Sequence, residues 1–265
     1  MEIKPLFDPK RKPMHVACFM SGSGTNVRRI IEHERRLKEE KSESPYEVVL
    51  IFTDNPESNA EKIAKEYRIP FLLNDIKKFY GNRSLKDMKV REEYDRKTLE
   101  LIKPFKIDLI ALAGYAWVLT KPLVSNYLIV NVHPADLSVK DENGKRKYIG
   151  LHHIPAMKAI LAGEKFLHSS THLVTENLDA GEILLISKPL EVKLPEGVSL
   201  EDLKKPENRE LLEKIAEEHQ NRLKEVGDWK IFPLTLQWIA EGRFEMDENR
   251  KIYFDGELVK DGYRL

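Results

Sequence analysis

Four short β-type runs, His15–Met20 (HVACFM), Glu47–Phe52 (EVVLIF), Asp108–Ala113 (DLIALA) and Leu128–Val132 (LIVNV), lack a regular polar alternation. A strand with one solvated face alternates in and out of the core. Runs of this kind instead suit strands covered on both faces, as in parallel α/β sheets. Segments with helical spacing lie between them, at Asn26–Lys41, Ser58–Tyr67 and Val90–Lys103, with a further short strand at Pro70–Leu73. This alternation through about residue 135 predicts a doubly wound, mostly parallel α/β sheet.

The rest of the chain reads differently. Lys140–Lys147 (KDENGKRK) is expected to be a surface loop and His153–Gly163 a short helix. Phe166–Thr175 and Glu182–Val192 read as two strands separated by a tight turn at Asn177–Gly181. Pro206–Val226 reads as a long charged helix, Lys230–Glu241 as a more apolar one, and Asn249–Lys260 as a small hairpin. Residues 1–13 carry three prolines and no apolar periodicity, which suggests an N-terminal arm. No repeat or linker stands out, so 14–265 is read as one domain: a Rossmann-like phosphate-binding half at 14–135 and an appended C-terminal half at 136–265.

Composition excludes several classes. Lys and Arg total 44 against 44 Asp and Glu, so no global field draws the chain to nucleic acid or to an anionic membrane. The lone Cys18 permits no internal disulfide and no cysteine-based zinc framework, which fits a reducing compartment. The apolar runs are far shorter than the ~20 residues of a spanning helix, and the N-terminus lacks the apolar core of a signal peptide. A cytoplasmic protein acting on small molecules is expected, with no nucleic-acid or membrane partner; a homodimer is compatible with the sequence.

Three constellations carry chemistry. Ser21-Gly22-Ser23-Gly24-Thr25-Asn26 stands between the first strand and the first helix. Glycines there let backbone N–H groups approach a phosphate at the positive end of the helix. The segment is neither a dinucleotide fingerprint nor a P-loop, and a plain turn with a helix cap is the competing explanation. Asn131 and His133 project to the same side at the end of a strand, where an amide and an imidazole can both donate to one developing oxyanion. A satisfied strand-end histidine is the alternative. Asp179 lies in the turn Leu178–Gly181; if it meets His133 it raises the imidazole pKa and makes a proton donor near neutrality, and otherwise it is an ordinary turn aspartate. His168, Ser170 and His172 share one strand face, and His172 is a further candidate for the cleft. No metal is expected, since neither a His-Glu-x-x-His pattern nor a cysteine cluster is present.

Taken in order, SGSGTN (21–26), FTDNP (52–56), REEYDR (91–96), LAGYAWVL (112–119), NVHPADL (131–137), YIGLH (148–152), STHLVTENLDAGEILL (170–185) and IFPLTLQWIAEGRFEM (231–246) resemble the folate-dependent formyltransferases. The resemblance runs from about residue 14 to the last residue and implies the formyltransferase fold with a C-terminal extension of helices and a small β-hairpin, 136–265 being its folate-site half. It implies formyl transfer from 10-formyltetrahydrofolate as co-substrate to the amine of 5′-phosphoribosylglycinamide in purine biosynthesis. By position, Gly24, Thr25 and Asn26 would hold the ribonucleotide phosphate and Asp228 would touch the same substrate. Asn131, His133 and Asp179 would form the catalytic trio, with protonated His133 and the Asn131 amide on the oxyanion and Asp179 keeping His133 charged and orienting a water. Arg91 would reach the glutamate tail of the folate, and Ala116, Trp117, Val118 and Leu119 would line the pterin pocket. Trp117 stands where the family commonly has arginine, and Trp229 where it has histidine. A formyltetrahydrofolate deformylase, a formyltransferase for another amine, and a catalytically lapsed ligand-binding protein are the rival readings.

Overall fold

A computed structural model describes residues 2–265. In chain order its elements are β1 (Ile3–Pro5), β2 (Met14–Met20), α1 (Thr25–Lys41), β3 (Tyr46–Thr53), α2 (Ala60–Tyr67), β4 (Phe71–Leu73), α3 (Ile76–Tyr80), α4 (Met88–Ile102), β5 (Leu109–Leu112), α5 (Lys121–Val124), β6 (Leu128–His133) and α6 (Ile154–Leu161). Then follow β7 (Phe166–Leu167), β8 (Ser170–Leu173), β9 (Ile183–Ile186), β10 (Leu190–Glu191), α7 (Leu200–Leu203), α8 (Arg209–Leu223), α9 (Trp229–Ala240), β11 (Phe244–Asp247), β12 (Ile252–Phe254), β13 (Glu257–Leu258) and β14 (Tyr263–Arg264).

The central sheet has eight strands in the order β14-β9-β8-β6-β5-β2-β3-β4. Five of its seven pairings are parallel, and β8 is the antiparallel strand between β6 and β9. The mostly parallel, doubly wound sheet is therefore as expected. β2 shows why its sequence lacks alternation. Met14, Val16, Cys18 and Met20 pack on one face in the core shared with α1 and α9, while Ala17 and Phe19 pack on the other with Ile102 of α4 and Leu123 of α5. A smaller core joins α6 and α8 over the β7–β10 pair. No helix among the described residues is long and apolar enough to cross a membrane.

Four elements depart from expectation. The two long middle strands each break in two: β8 and β9 lie in the central sheet, whereas β7 and β10 pair with each other in a separate ribbon. The break falls at Ser169, whose N–H is bound by the Ser187 hydroxyl at 2.9 Å. The helix expected over 206–226 runs as α8 and then opens into a single π turn, Lys224–Asp228, before α9. Residues 3–5 of the N-terminal arm form a strand, pairing antiparallel with β11 in a second sheet, β1-β11-β12-β13, that contains the expected terminal hairpin.

Candidate active site

The loops that follow β2, β5 and β6 open at the C-terminal edge of the parallel strands, where ligands of open α/β sheets bind. They enclose a cleft of about 460 Å³, completed by residues 150–152, His172, the 174–179 turn and the end of α8. Gly24, Thr25, Asn26, Ala116, Trp117, Val118, Leu119, Asn131, His133, His172, Asp179 and Asp228 all line it.

Gly24 stands immediately before α1 with φ +72°, and a Cβ there would run into the side chains of Ile63 and Met20. The position therefore requires glycine. No side chain caps α1, so its first N–H groups face the cleft unoccupied by a capping oxygen. Opposite them, the π turn presents Asp228 and Lys224 to the same space, with Gln220 one turn earlier. The charged composition of 206–226 hid Lys224 and Gln220 among solvent-facing residues. Their spacing from Asp228 is a signal only once the π turn is known. Asp228 is 5% exposed and accepts from the Ser169 hydroxyl at 2.5 Å. Burial pushes its carboxyl above the usual range, against the pull of Ser169 and Asn26.

Asn131 and His133 are neighbours on one face of β6, with His172 beside Asn131 on β8. The Leu173 carbonyl, an acceptor only, takes the Nδ1–H of His172 at 2.8 Å. Nε2 of His172 is then the acceptor for the Asn131 amide at 3.2 Å. This fixes the amide orientation and leaves its second N–H free for a ligand. Burial, and then the proximity of His133, pull His172 down to about 4, so it stays neutral near pH 7.

His133 follows the same logic. Its Nε2–H donates to the Tyr148 carbonyl at 2.7 Å, so Nδ1 is the nitrogen that exchanges protons. Asp179 Oδ1 lies 3.5 Å from that Nδ1 and 3.7 Å from His172 Nε2. Its other oxygen accepts from Gly150 N–H at 3.1 Å. The expected raised pKa is corrected here: burial pulls His133 below the ordinary imidazole range, and Asp179 opposes this without reversing it. Burial thus disfavours the imidazolium expected at His133, while Asp179 beside Nδ1 favours it.

Arg91 is not brought to the cleft. It is 2% exposed, bound through Nη2 to Asp95 at 2.7 Å and to the Tyr115 hydroxyl at 3.1 Å. The rings of Tyr94, Tyr115 and Trp117 surround it. Trp117 closes over the guanidinium and anchors its indole N–H on Asp54 at 2.7 Å. Asp54 also accepts from the Ser21 hydroxyl at 2.5 Å, and Ser21 in turn accepts from the Ala116 N–H at 2.9 Å. One buried carboxylate therefore ties the glycine-rich 21–24 loop to the 116–119 segment. Among the described residues no group of three or more His, Cys, Asp or Glu side chains could hold a metal ion.

The sheet thus brings an amide and an imidazole at the end of β6, a carboxylate from the turn between β8 and β9 and a glycine-led helix start to one cleft. Residues 14–210 match the model of the formyl transferase family, and the chain belongs to that family. It is 28% identical over 251 residues to the phosphoribosylglycinamide formyltransferase of Haemophilus influenzae, covering 94% of this chain and 97% of that protein. It is 27% identical over 253 residues to the enzyme of that name from Escherichia coli, covering 94% and 98%. The fold is that of the phosphoribosylglycinamide formyltransferase structure from Coxiella burnetii (TM-score 0.70, 23% identity, covering 96% of this chain and all of that one).

Proposed function

We propose that the protein transfers the formyl group of 10-formyltetrahydrofolate to the amine of 5′-phosphoribosylglycinamide, as a cytoplasmic enzyme of purine biosynthesis. The observation that carries this reading is the sharing of one cleft by the glycine-led start of α1 and the Asn131–His133–Asp179 cluster. A phosphate at Gly24–Asn26, met by Lys224, places the far end of the same molecule toward β6. The 116–119 segment, with Leu151 and Leu178 at the rim, offers the apolar walls a pterin ring needs.

In this reading the amine attacks the formyl carbon, and the free N–H of Asn131 stabilises the oxygen that becomes negative. Nδ1 of neutral His133 takes the proton released by the amine, forming an imidazolium that Asp179 stabilises. The same proton then passes to the folate nitrogen as the carbon–nitrogen bond breaks. No covalent enzyme intermediate is needed. In this reading the Arg91 contact to the donor tail that family resemblance implies requires Trp117 to move, since the guanidinium lies buried beneath it, paired through Nη2 alone.

The test is a spectrophotometric formyl-transfer assay with and without the glycinamide acceptor, on wild type and His133→Ala. Acceptor-dependent turnover that the variant loses supports the proposal. Formate release without acceptor would make the protein a deformylase, and absence of turnover with this pair of substrates would refute the assignment.

A further inference from the structure

The charged loop at 140–147 leads into a segment, Arg146–Gly150, that touches the His133–Asp179 pair at three places. Tyr148 O receives the His133 Nε2–H, and Gly150 N–H holds Asp179 Oδ2. The third contact is Arg146, whose Nη1 donates to the Asp179 carbonyl and whose Nη2 donates to the Gly181 carbonyl at 2.8 Å. Arg146 makes no ion pair within 4 Å among the described residues. A partly buried guanidinium that spends both arms on two carbonyls of one turn is acting as a geometric clamp.

That turn needs a clamp. Asp179 holds φ +51°, a left-handed conformation that a residue with a Cβ adopts at a cost. Gly181 lies so close to β8 that a Cβ would overlap the Leu173 carbonyl. The turn is thus pressed against β8 at Gly181, and Arg146 holds the carbonyls of both Asp179 and Gly181. The loop that delivers Arg146 is itself ordered. Asp141 Oδ1 accepts from the N–H groups of Asn143 and Lys145 at 2.9 and 2.8 Å, and Lys140 pairs with Asp261 at 2.8 Å.

We propose that Arg146 is a positioning residue for formyl transfer: it fixes the 179–181 turn so that the Asp179 carboxylate faces His133 Nδ1. The inference rests on the reading of His133 and Asp179 as the catalytic pair. Besides Asp179, the charged and titratable groups acting on His133 are Arg146, Lys158 and His172, so removing the Arg146 charge also alters the proton affinity of the imidazole.

The experiment compares wild type, Arg146→Met, Arg146→Lys and His133→Ala in the formyl-transfer assay across pH. A displacement of about 1 Å at a reacting group costs on the order of 10²-fold, so Arg146→Met is expected to lower kcat by that factor with KM for both substrates little changed. Its acid limb should move to higher pH, because a cation near His133 is gone. Arg146→Lys keeps the charge and cannot bridge both carbonyls, so its limb should stay in place while kcat remains reduced. A role confined to folding would lower yield and thermal midpoint without moving the limb. Wild-type kcat with an unmoved limb in Arg146→Met, alongside an inactive His133→Ala, would overturn the inference alone. Should Arg146→Met not fold, wild-type kcat in Arg146→Lys overturns it equally. Full turnover in His133→Ala would instead bring down the catalytic reading, and the positioning role with it.

Discussion

Two buried carboxylates, Asp179 in the lining of the cleft and Asp95 outside it, live differently. Asp95 receives three donors: Arg91 Nη2 at 2.7 Å, Thr120 N–H at 2.6 Å and the Thr120 hydroxyl at 2.7 Å. Asp179 receives one full hydrogen bond on its side chain, from Gly150, and turns its other oxygen toward two imidazoles at 3.5 and 3.7 Å. Burial is common to both, and the donor count separates them. A satisfied carboxylate is a strut, whereas one with a spare oxygen facing a titratable ring can take part in moving a proton.

The sharpest way to break this contrast is to neutralise each in turn. Asp179→Asn should lower kcat by ~10²–10⁴-fold, the range of a lost acid–base partner, with the urea midpoint close to wild type. Asp95→Ala should do the reverse, leaving turnover per folded molecule near wild type while costing about 3–5 kcal/mol in denaturant unfolding, because Arg91 is left buried and unpaired. Exchanged outcomes would mean that the roles have been assigned the wrong way round.

A second effect is smaller and depends on pH. His172 titrates near 4 when folded and at the ordinary 6.5 when unfolded. The unfolded state therefore binds the proton first as pH falls. Stability from this group is complete above 6.5 and declines toward 4, by about 2–3 kcal/mol at pH 4.5. Urea midpoints at pH 7.5 and 4.5 should show that His172→Gln loses correspondingly less on acidification. Parallel losses in both proteins would count against a neutral buried His172.

The smallest effect is expected at Trp117→Phe. It removes one donor from buried Asp54 and should cost about 1–2 kcal/mol. By loosening the 116–119 segment it should raise KM for the formyl donor more than for the ribonucleotide. An equal rise in both, measured by steady-state kinetics, would mean that the segment does not belong to the donor side.

Much of this was legible in the sequence, for physical reasons. Strands β2, β3, β5 and β6 are buried on both faces, and continuous β-type runs announce that directly. Asn131 and His133 announce themselves by their two-residue spacing at a strand end. Other features depend on distant neighbours. The expectation for His133 included its carboxylate partner and omitted the burial that outweighs it. Arg91 rests on resemblance alone, and nothing local in the sequence indicates that the Trp117 ring lies against its guanidinium. Arg146 was lost in a loop whose composition reads as solvated surface, since nothing local indicates carbonyls on a turn more than thirty residues away. The breaks near residues 169 and 187 were invisible for the same reason, being set by one strand bonding across to the other.

The second sheet has a temporal consequence. Pro5 is paired with Glu245, 240 positions further along, and no earlier segment offers β1 a partner within that sheet. On a ribosome adding 5–20 residues per second, β1 would wait roughly 12–50 s for its neighbour to emerge. β1 thus waits for nearly the whole of this sequence before it can pair. Pulse-labelled chains halted before residue 244 would carry the glycine-led start of α1 while β1 had nothing in that sheet to pair with.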